Sequence, residues 1–117
     1  MPFVKIYGIS NCDTVKKAKK WLDAEQIDFD YHDFRKDGLQ PSDVEKWVSA
    51  AGLDKVLNKR GTTWRKLDEE QQLAAQDQSK AIALIVAEPT LIKRPVLEFN
   101  DHIEIGFSEP RYQTIFS

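Results

Sequence analysis

The sequence predicts an α/β fold: a strand–helix–strand unit, then a block of helices, then a strand–strand–helix unit. Three observations carry this. Alternating, β-rich stretches stand near each end of the chain, at residues 3–7 and 102–107. Helical spacing starts immediately after the only cysteine, Cys12, and returns through the middle. A proline, Pro95, interrupts a β-rich run in the last third, where a strand should begin or bend.

Taken in order, Phe3-Val4-Lys5-Ile6-Tyr7 reads as strand one. Gly8 to Asn11 are turn formers. Val15, Ala18 and Leu22 recur at spacings of three and four, giving a helix from about Asp13 to Glu25. Ile27 to Phe34 reads as strand two. A strand–helix–strand unit of this length is a crossover that leaves its strands parallel and adjacent. Arg35 to Gly38 is a polar turn. Pro41-Ser42-Asp43 opens a helix with Val44, Trp47, Val48 and Ala51 on its apolar stripe, and Gly52 ends it. Leu53 to Leu57 reads as a short further turn, and Asn58 to Leu67 as a loop with four basic residues. Asp68 with Gln71 is a capping-box pair opening Glu69–Ala75. Ser79 to Val86 reads as a helix with Ala81, Leu84 and Ile85 inward, a short buried strand being the rival. Leu91 to Phe99 reads as a strand broken by Pro95, Asn100-Asp101 as a hairpin turn, and His102 to Phe107 as the last strand. Pro110 sits near the first position of a closing helix.

Length and composition bound the function. At 117 residues the chain is expected to be one domain. Its formal net charge of −2 gives no general case for nucleic acid binding. No apolar run is long enough to span a membrane, and no leader pattern opens the chain, so a cytoplasmic location is expected. One cysteine forms no internal disulfide. His32 and His102 show no metal-ligand spacing with it, so no metal is expected.

The chemistry points to Cys12. It falls at or just before a first helical turn, where free N–H groups and the helix dipole favour an anion. Thiols there have lowered pKa values. Lys16 and Lys17 add positive charge one turn on, although with Lys19 and Lys20 they also read simply as a solvated helix face, and Asp13 opposes a neighbouring thiolate. A buried cysteine acting as a small hydrophobe is the plainer alternative; the strand–turn–cysteine–helix order favours a reactive thiol.

The element order, with a cysteine after strand one and a proline before strand three, is thioredoxin-like: a core of about residues 1–35 and 88–117, and a helical insertion of about 40–87 between strands two and three. Gly8-Ile9-Ser10-Asn11-Cys12-Asp13-Thr14, Asn58 to Leu67, and Leu91 to Leu97 together resemble the arsenate reductase (ArsC) family, which also contains the Spx regulators. The resemblance covers essentially the whole chain. It implies that Cys12 is the nucleophile, that Asn11, Arg60 and Arg94 hold the substrate oxyanion or the thiolate, and that Pro95 is the cis-proline beside the thiol. Lys16 and Arg111 are further candidates. Arginine suits the task, since its planar fork binds tetrahedral oxyanions through several hydrogen bonds.

Two positions depart from the family pattern. Phe107 stands where the arsenate reductases carry a third arginine, and Val15 stands where redox-sensing Spx proteins carry a second cysteine. The pattern is most similar to a YffB-type subgroup proposed to use glutathione. The implied function is a glutathione-dependent thiol reductase with a single cysteine nucleophile, released by glutathione or glutaredoxin and acting on an oxidised or glutathionylated substrate. Arsenate reduction is the alternative within that chemistry. An Spx-like regulator that binds RNA polymerase is the alternative outside it.

Overall fold

A computed structural model describes residues 4–9 and 12–117. The beginning of strand one at Phe3 and the candidate Asn11 lie outside the described residues. Chain contacts gather into two compact units, one of residues 1–37 with 94–117 and one of residues 38–93.

The first unit is built on a four-stranded sheet. Strand β1 (Val4–Gly8) leads into helix α1 (Asp13–Ala24), and β2 (Asp30–Asp33) returns parallel to β1. Strands β3 (Val96–Phe99) and β4 (His102–Ile105) form a hairpin whose turn residue Asn100 takes a φ of 55°. The sheet order is β2-β1-β3-β4, with β3 antiparallel to both neighbours. This is a thioredoxin-like arrangement. Alternation along the strands sends Val4, Ile6 and Leu97 to one face, where they pack with Ala18 and Leu22 and with Tyr112 of the last helix. Trp21 meets Tyr112 edge-on, with ring centroids 5.6 Å apart.

Strand two is shorter than expected. The N–H of Ile27 donates back to the Leu22 carbonyl at 2.9 Å, and Gln26 takes a φ of 60°, so residues 25–27 close the helix and pairing starts only at Asp30. The polar turn after it is a single helical turn, α2 (Phe34–Asp37). Asp33 forms it: its Oδ1 accepts the N–H groups of Arg35 and Lys36 at 2.8 and 3.3 Å, and its own N–H donates to Asp37 Oδ2 at 3.0 Å. A carboxylate satisfied in this way tolerates its near-complete burial.

The second unit is helical. Helix α3 (Pro41–Ala51) has proline in its first turn and ends at Gly52, whose φ of 94° suits glycine. Helix α4 (Leu53–Val56) follows directly. The basic loop is partly helical, containing α5 (Thr62–Lys66). Helix α6 (Glu69–Ala74) has the expected capping box between Asp68 and Gln71. Helix α7 (Gln78–Ala87) excludes the rival strand, and its buried residues are Ala81, Ile82 and Ile85; Leu84 is only half-buried. The hydrophobic spacing alone assigned Leu84 inward, but α7 presents the neighbouring stripe. Trp47, Val44 and Ile85 are fully buried in this unit.

The run 91–99 is not one strand. Residues 89–91 form a 3-10 turn, Ile92 makes an isolated bridge with Leu57, and Lys93 N–H donates to the Val56 carbonyl at 2.8 Å. Only after Pro95, which has no N–H to give a ladder, does β3 begin. The chain closes with helix α8 (Glu109–Phe116), capped by the Ser108 hydroxyl, which accepts the Arg111 N–H at 3.3 Å.

Candidate active site

Three chain segments reach the same end of the sheet. Tyr7 near the end of β1 is paired with Val96 at the start of β3, and Val96 with Ile105 at the end of β4. The segment leaving β1 therefore emerges beside Arg94-Pro95 and Gly106-Phe107. The last two are tied together, Gly106 N–H donating to the Pro95 carbonyl at 2.8 Å. The Arg94–Pro95 peptide bond is cis, and Pro95 is buried.

Cys12 caps α1 from this end. Its backbone is extended (φ −102°, ψ 119°), and its carbonyl accepts the Lys16 N–H at 3.0 Å as the first bond of the helix. Its side chain makes no capping hydrogen bond, and the thiol is free and half-buried. Oxygen-bearing side chains are the usual occupants of such a position because they satisfy an orphan N–H. A sulfur there leaves those donors facing whatever anion approaches, the thiolate included.

Gly8 sets how closely α1 comes to β1. A Cβ at Gly8 would stand 2.7 Å from Val15 Cγ2 and 3.2 Å from Cγ1. The glycine is there for space; its sequence reading as a simple turn former missed this. Val15, the position that carries a second thiol in the Spx pattern, is thus a buried packing residue against β1.

Arg94 is half-buried and makes no ion pair or hydrogen bond among the described residues. In the helical unit, Arg60 is exposed, and its N–H donates to Asn58 Oδ1 at 3.1 Å. Lys59 Nζ sits 5.5 Å from the Trp64 ring centre, and the Trp64 carbonyl accepts from Gln72 Nε2 at 3.0 Å, so Trp64 packs within its own unit. Lys16 is exposed on α1.

Arg111 has a different commitment. Its Nη2 and Nε donate to the two carboxylate oxygens of Glu104 at 2.9 and 3.2 Å, while His102 Nε2 lies 3.1 Å from the same carboxylate. Partial burial works to raise the Glu104 pKa, but the hydrogen bonds from Arg111 and His102 outweigh it and hold the carboxyl below its ordinary range. The guanidinium lines a hollow with Phe99, Asn100 and His102, at the hairpin-turn end of β3 and away from Pro95. Sequence reasoning missed this cluster. His102 and Glu104 share a strand face by alternation, but the seven-residue step to Arg111 depends on the strand-to-helix angle. Phe107, in the place of a third arginine, packs inward: its ring meets Tyr112 edge-on at 4.7 Å.

A thiol on a helix start, a cis-proline on the neighbouring strand and an arginine directly before it form a distinctive set, and the chain matches the ArsC family over residues 7–115. The chain belongs to the ArsC family. Within it, an uncharacterized protein of Haemophilus influenzae is 43% identical over 114 residues, covering 97% of this chain and 99% of that one. The global transcriptional regulator Spx of Streptococcus pyogenes serotype M3 is 26% identical, covering 97% of this chain and 85% of the regulator. Among solved structures, a YFFB protein superposes with a TM-score of 0.93 at 42% identity, covering 97% of this chain and 99% of that chain. The ArsC match spans both units, so the helical segment is part of the family pattern.

Proposed function

We propose that the chain is a glutathione-dependent thiol reductase in which Cys12 is the sole nucleophile. The observation that carries this reading is the placement of the half-buried thiol at the N-cap of α1, on the sheet end where Arg94 stands without an acidic partner among the described residues. Helix start and guanidinium both favour negative charge. ArsC family membership supports thiol chemistry at this position.

In the proposed cycle the Cys12 thiolate attacks the glutathione sulfur of a mixed disulfide. A bond forms between Cys12 Sγ and that sulfur, and the substrate leaves as a thiolate that takes a proton from water. A glutathione thiolate then attacks the same glutathione sulfur. Oxidised glutathione leaves and Cys12 returns as thiolate, so two glutathione-level electrons reduce one substrate disulfide. Arg94 holds the anionic group of the incoming thiol. Arg60 is assigned to the same task on the motif resemblance alone. With Val15 filling the position of a resolving cysteine, release requires an external thiol.

Cys12→Ser should abolish reduction of a glutathionylated substrate followed by coupled oxidation of NADPH through glutathione reductase. Retention of turnover in that variant would remove the reading. Arsenate reduction is the second reading, supported by the family itself; arsenate-dependent oxidation of glutathione in the same coupled assay would establish it. Phe107, uncharged and turned into the core, weighs against tight binding of a doubly charged oxyanion. The Spx relationship supports a third reading, polymerase binding, which a pull-down against RNA polymerase subunits decides.

A further inference from the structure

Arg60 stands in a turn that one segment holds at both ends. Ahead of the turn, Leu57 bridges Ile92 in antiparallel sense. Two backbone bonds flank that bridge: Asn58 N–H donates to the Leu91 carbonyl at 2.7 Å, and Lys93 N–H to the Val56 carbonyl at 2.8 Å. Val56, Leu57, Leu91 and Ile92 are all buried, so packing fixes this short ladder. Behind the turn, the hydroxyls of Thr63 on α5 and Thr90 in the 3-10 turn share a hydrogen bond at 2.7 Å. Residues 90–93 thus grip the chain on either side of Arg60, and the next residue along that segment is Arg94.

Asn58 shapes the turn itself. Its Oδ1 accepts the Arg60 N–H at 3.1 Å, which closes an Asx turn. Its Nδ2 lies against Gly61, where a Cβ would stand 3.0 Å from it. The φ of Gly61 is −82°, which any residue adopts, so this glycine leaves room for the carboxamide. The Gly61 carbonyl then opens α5 by accepting the Arg65 N–H at 3.4 Å. Of the two cations in the turn, Lys59 is drawn onto the Trp64 ring. Arg60 is exposed, and its guanidinium makes no ion pair or hydrogen bond among the described residues. Burial of Leu57 and Ile92 accounts for the ladder as packing. The Asn58 bond is exposed, where water competes and a hydrogen bond adds little stability. What it fixes is the backbone that carries Arg60. A long charged side chain loses less freedom on binding when its backbone is already set.

We infer that Asn58 and the Thr63–Thr90 pair are positioning residues for Arg60: Asn58 sets the turn that presents the guanidinium to an anionic ligand, and the threonines tie its far end to the segment that runs into Arg94. This rests on the reductase reading, in which Arg60 holds an anionic group, and adds what holds Arg60. None of the three residues touches the reacting atoms in this scheme; each acts through the guanidinium.

The test follows Cys12 alkylation in the full chain with iodoacetate and iodoacetamide, an anionic and a neutral probe of one thiol. Their rate ratio reports attraction of an anion and cancels changes in the thiolate fraction. Arg60→Ala should lower the ratio about three- to tenfold, and Asn58→Ala by a similar factor. Asn58→Ser, whose hydroxyl closes such turns more weakly, should recover part of the loss. T63V/T90V replaces both hydroxyls by methyls of the same shape and so keeps the fold; it should show a smaller loss in the same direction and serves if Asn58→Ala unfolds. With Arg60 already alanine, neither change should alter the ratio by more than about 1.5-fold. In the coupled assay the same variants should raise KM for a glutathionylated substrate while kcat stays within about twofold. An unchanged ratio in folded Asn58→Ala beside a lowered one in Arg60→Ala would overturn the inference. So would a loss that persists in the Arg60→Ala background, the mark of a change in the fold. If Arg60→Ala itself leaves the ratio unchanged, the inference falls together with the assignment of Arg60. Failure of the reductase reading shows separately, as turnover surviving Cys12→Ser.

Discussion

One methyl group added at Gly8 would place a carbon 2.7 Å from Val15 Cγ2, well inside contact distance. Gly8→Ala should therefore cost about 1–3 kcal/mol, the usual range for overpacking, and Val15→Ala in the same chain should recover part of it; urea titration of the single and double variants checks this. Tyr112 offers the opposite case. Its hydroxyl is fully buried with no hydrogen-bond partner among the described residues, and burial with the nearby Glu104 charge pushes its pKa upward. Tyr112→Phe removes an unsatisfied polar group at nearly constant shape, so it should be neutral or stabilising by up to about 1 kcal/mol, read as the urea midpoint. Glu104 has its pKa lowered in the fold, so its pairing with Arg111 stabilises above the ordinary carboxylate pKa of about 4.3 and is lost as pH falls through the lower folded value. The melting-temperature gap between wild type and Arg111→Ala should be present at pH 7 and close on acidification. None of these three residues announced its role in the sequence. Each depends on which atoms a fold brings within a few ångströms, and spacing along the chain does not contain that.

Elements were more legible where a local signal and a burial pattern agreed. The box at Asp68 and Gln71 is visible as two residues three apart, and the structure has it. Helix α1 was legible from Val15, Ala18 and Leu22, all buried. The run 91–99 was not, because apolar content looks the same in a strand as in a 3-10 turn followed by a bridge; only the missing N–H of Pro95 marks where pairing starts. Helix α1 also gives the clearest element-scale prediction. Its N-cap position holds a thiol that makes no capping bond. Cys12→Ser supplies an oxygen for that bond, so the variant should be more stable by about 0.5–1 kcal/mol and melt a few degrees higher, while losing activity. A stable, inactive Cys12→Ser separates loss of the nucleophile from loss of the fold; differential scanning calorimetry beside the coupled assay reads both.

At the scale of the molecule, the strand and helix order was legible enough to give the α/β class and the thioredoxin-like sheet, since a crossover between neighbouring strands leaves few topologies. The candidate site was legible in part: Cys12, Arg94 and Pro95 were named from the chain and lie at one end of the sheet, while the Glu104 clasp on Arg111 was not foreseen. The surface charge follows the same division. Composition alone gives a mildly acidic protein with an isoelectric point near 5.7; the lysines at 16, 17, 19 and 20 read as one solvated helix face from the sequence, and the fold adds that Lys19 turns onto the Tyr31 ring while the other three are exposed.

The helical unit enters at Gly38 and leaves at Lys93 as one uninterrupted length of chain, and the next two residues are Arg94 and Pro95. A single exchange at the joints before Gly38 and after Lys93 would replace the whole unit, Arg60 with it, and leave Cys12, Arg94 and Pro95 in the first unit. Evolution, or a chimera made with a relative, can thus vary one arginine-bearing module without rewriting the sheet unit.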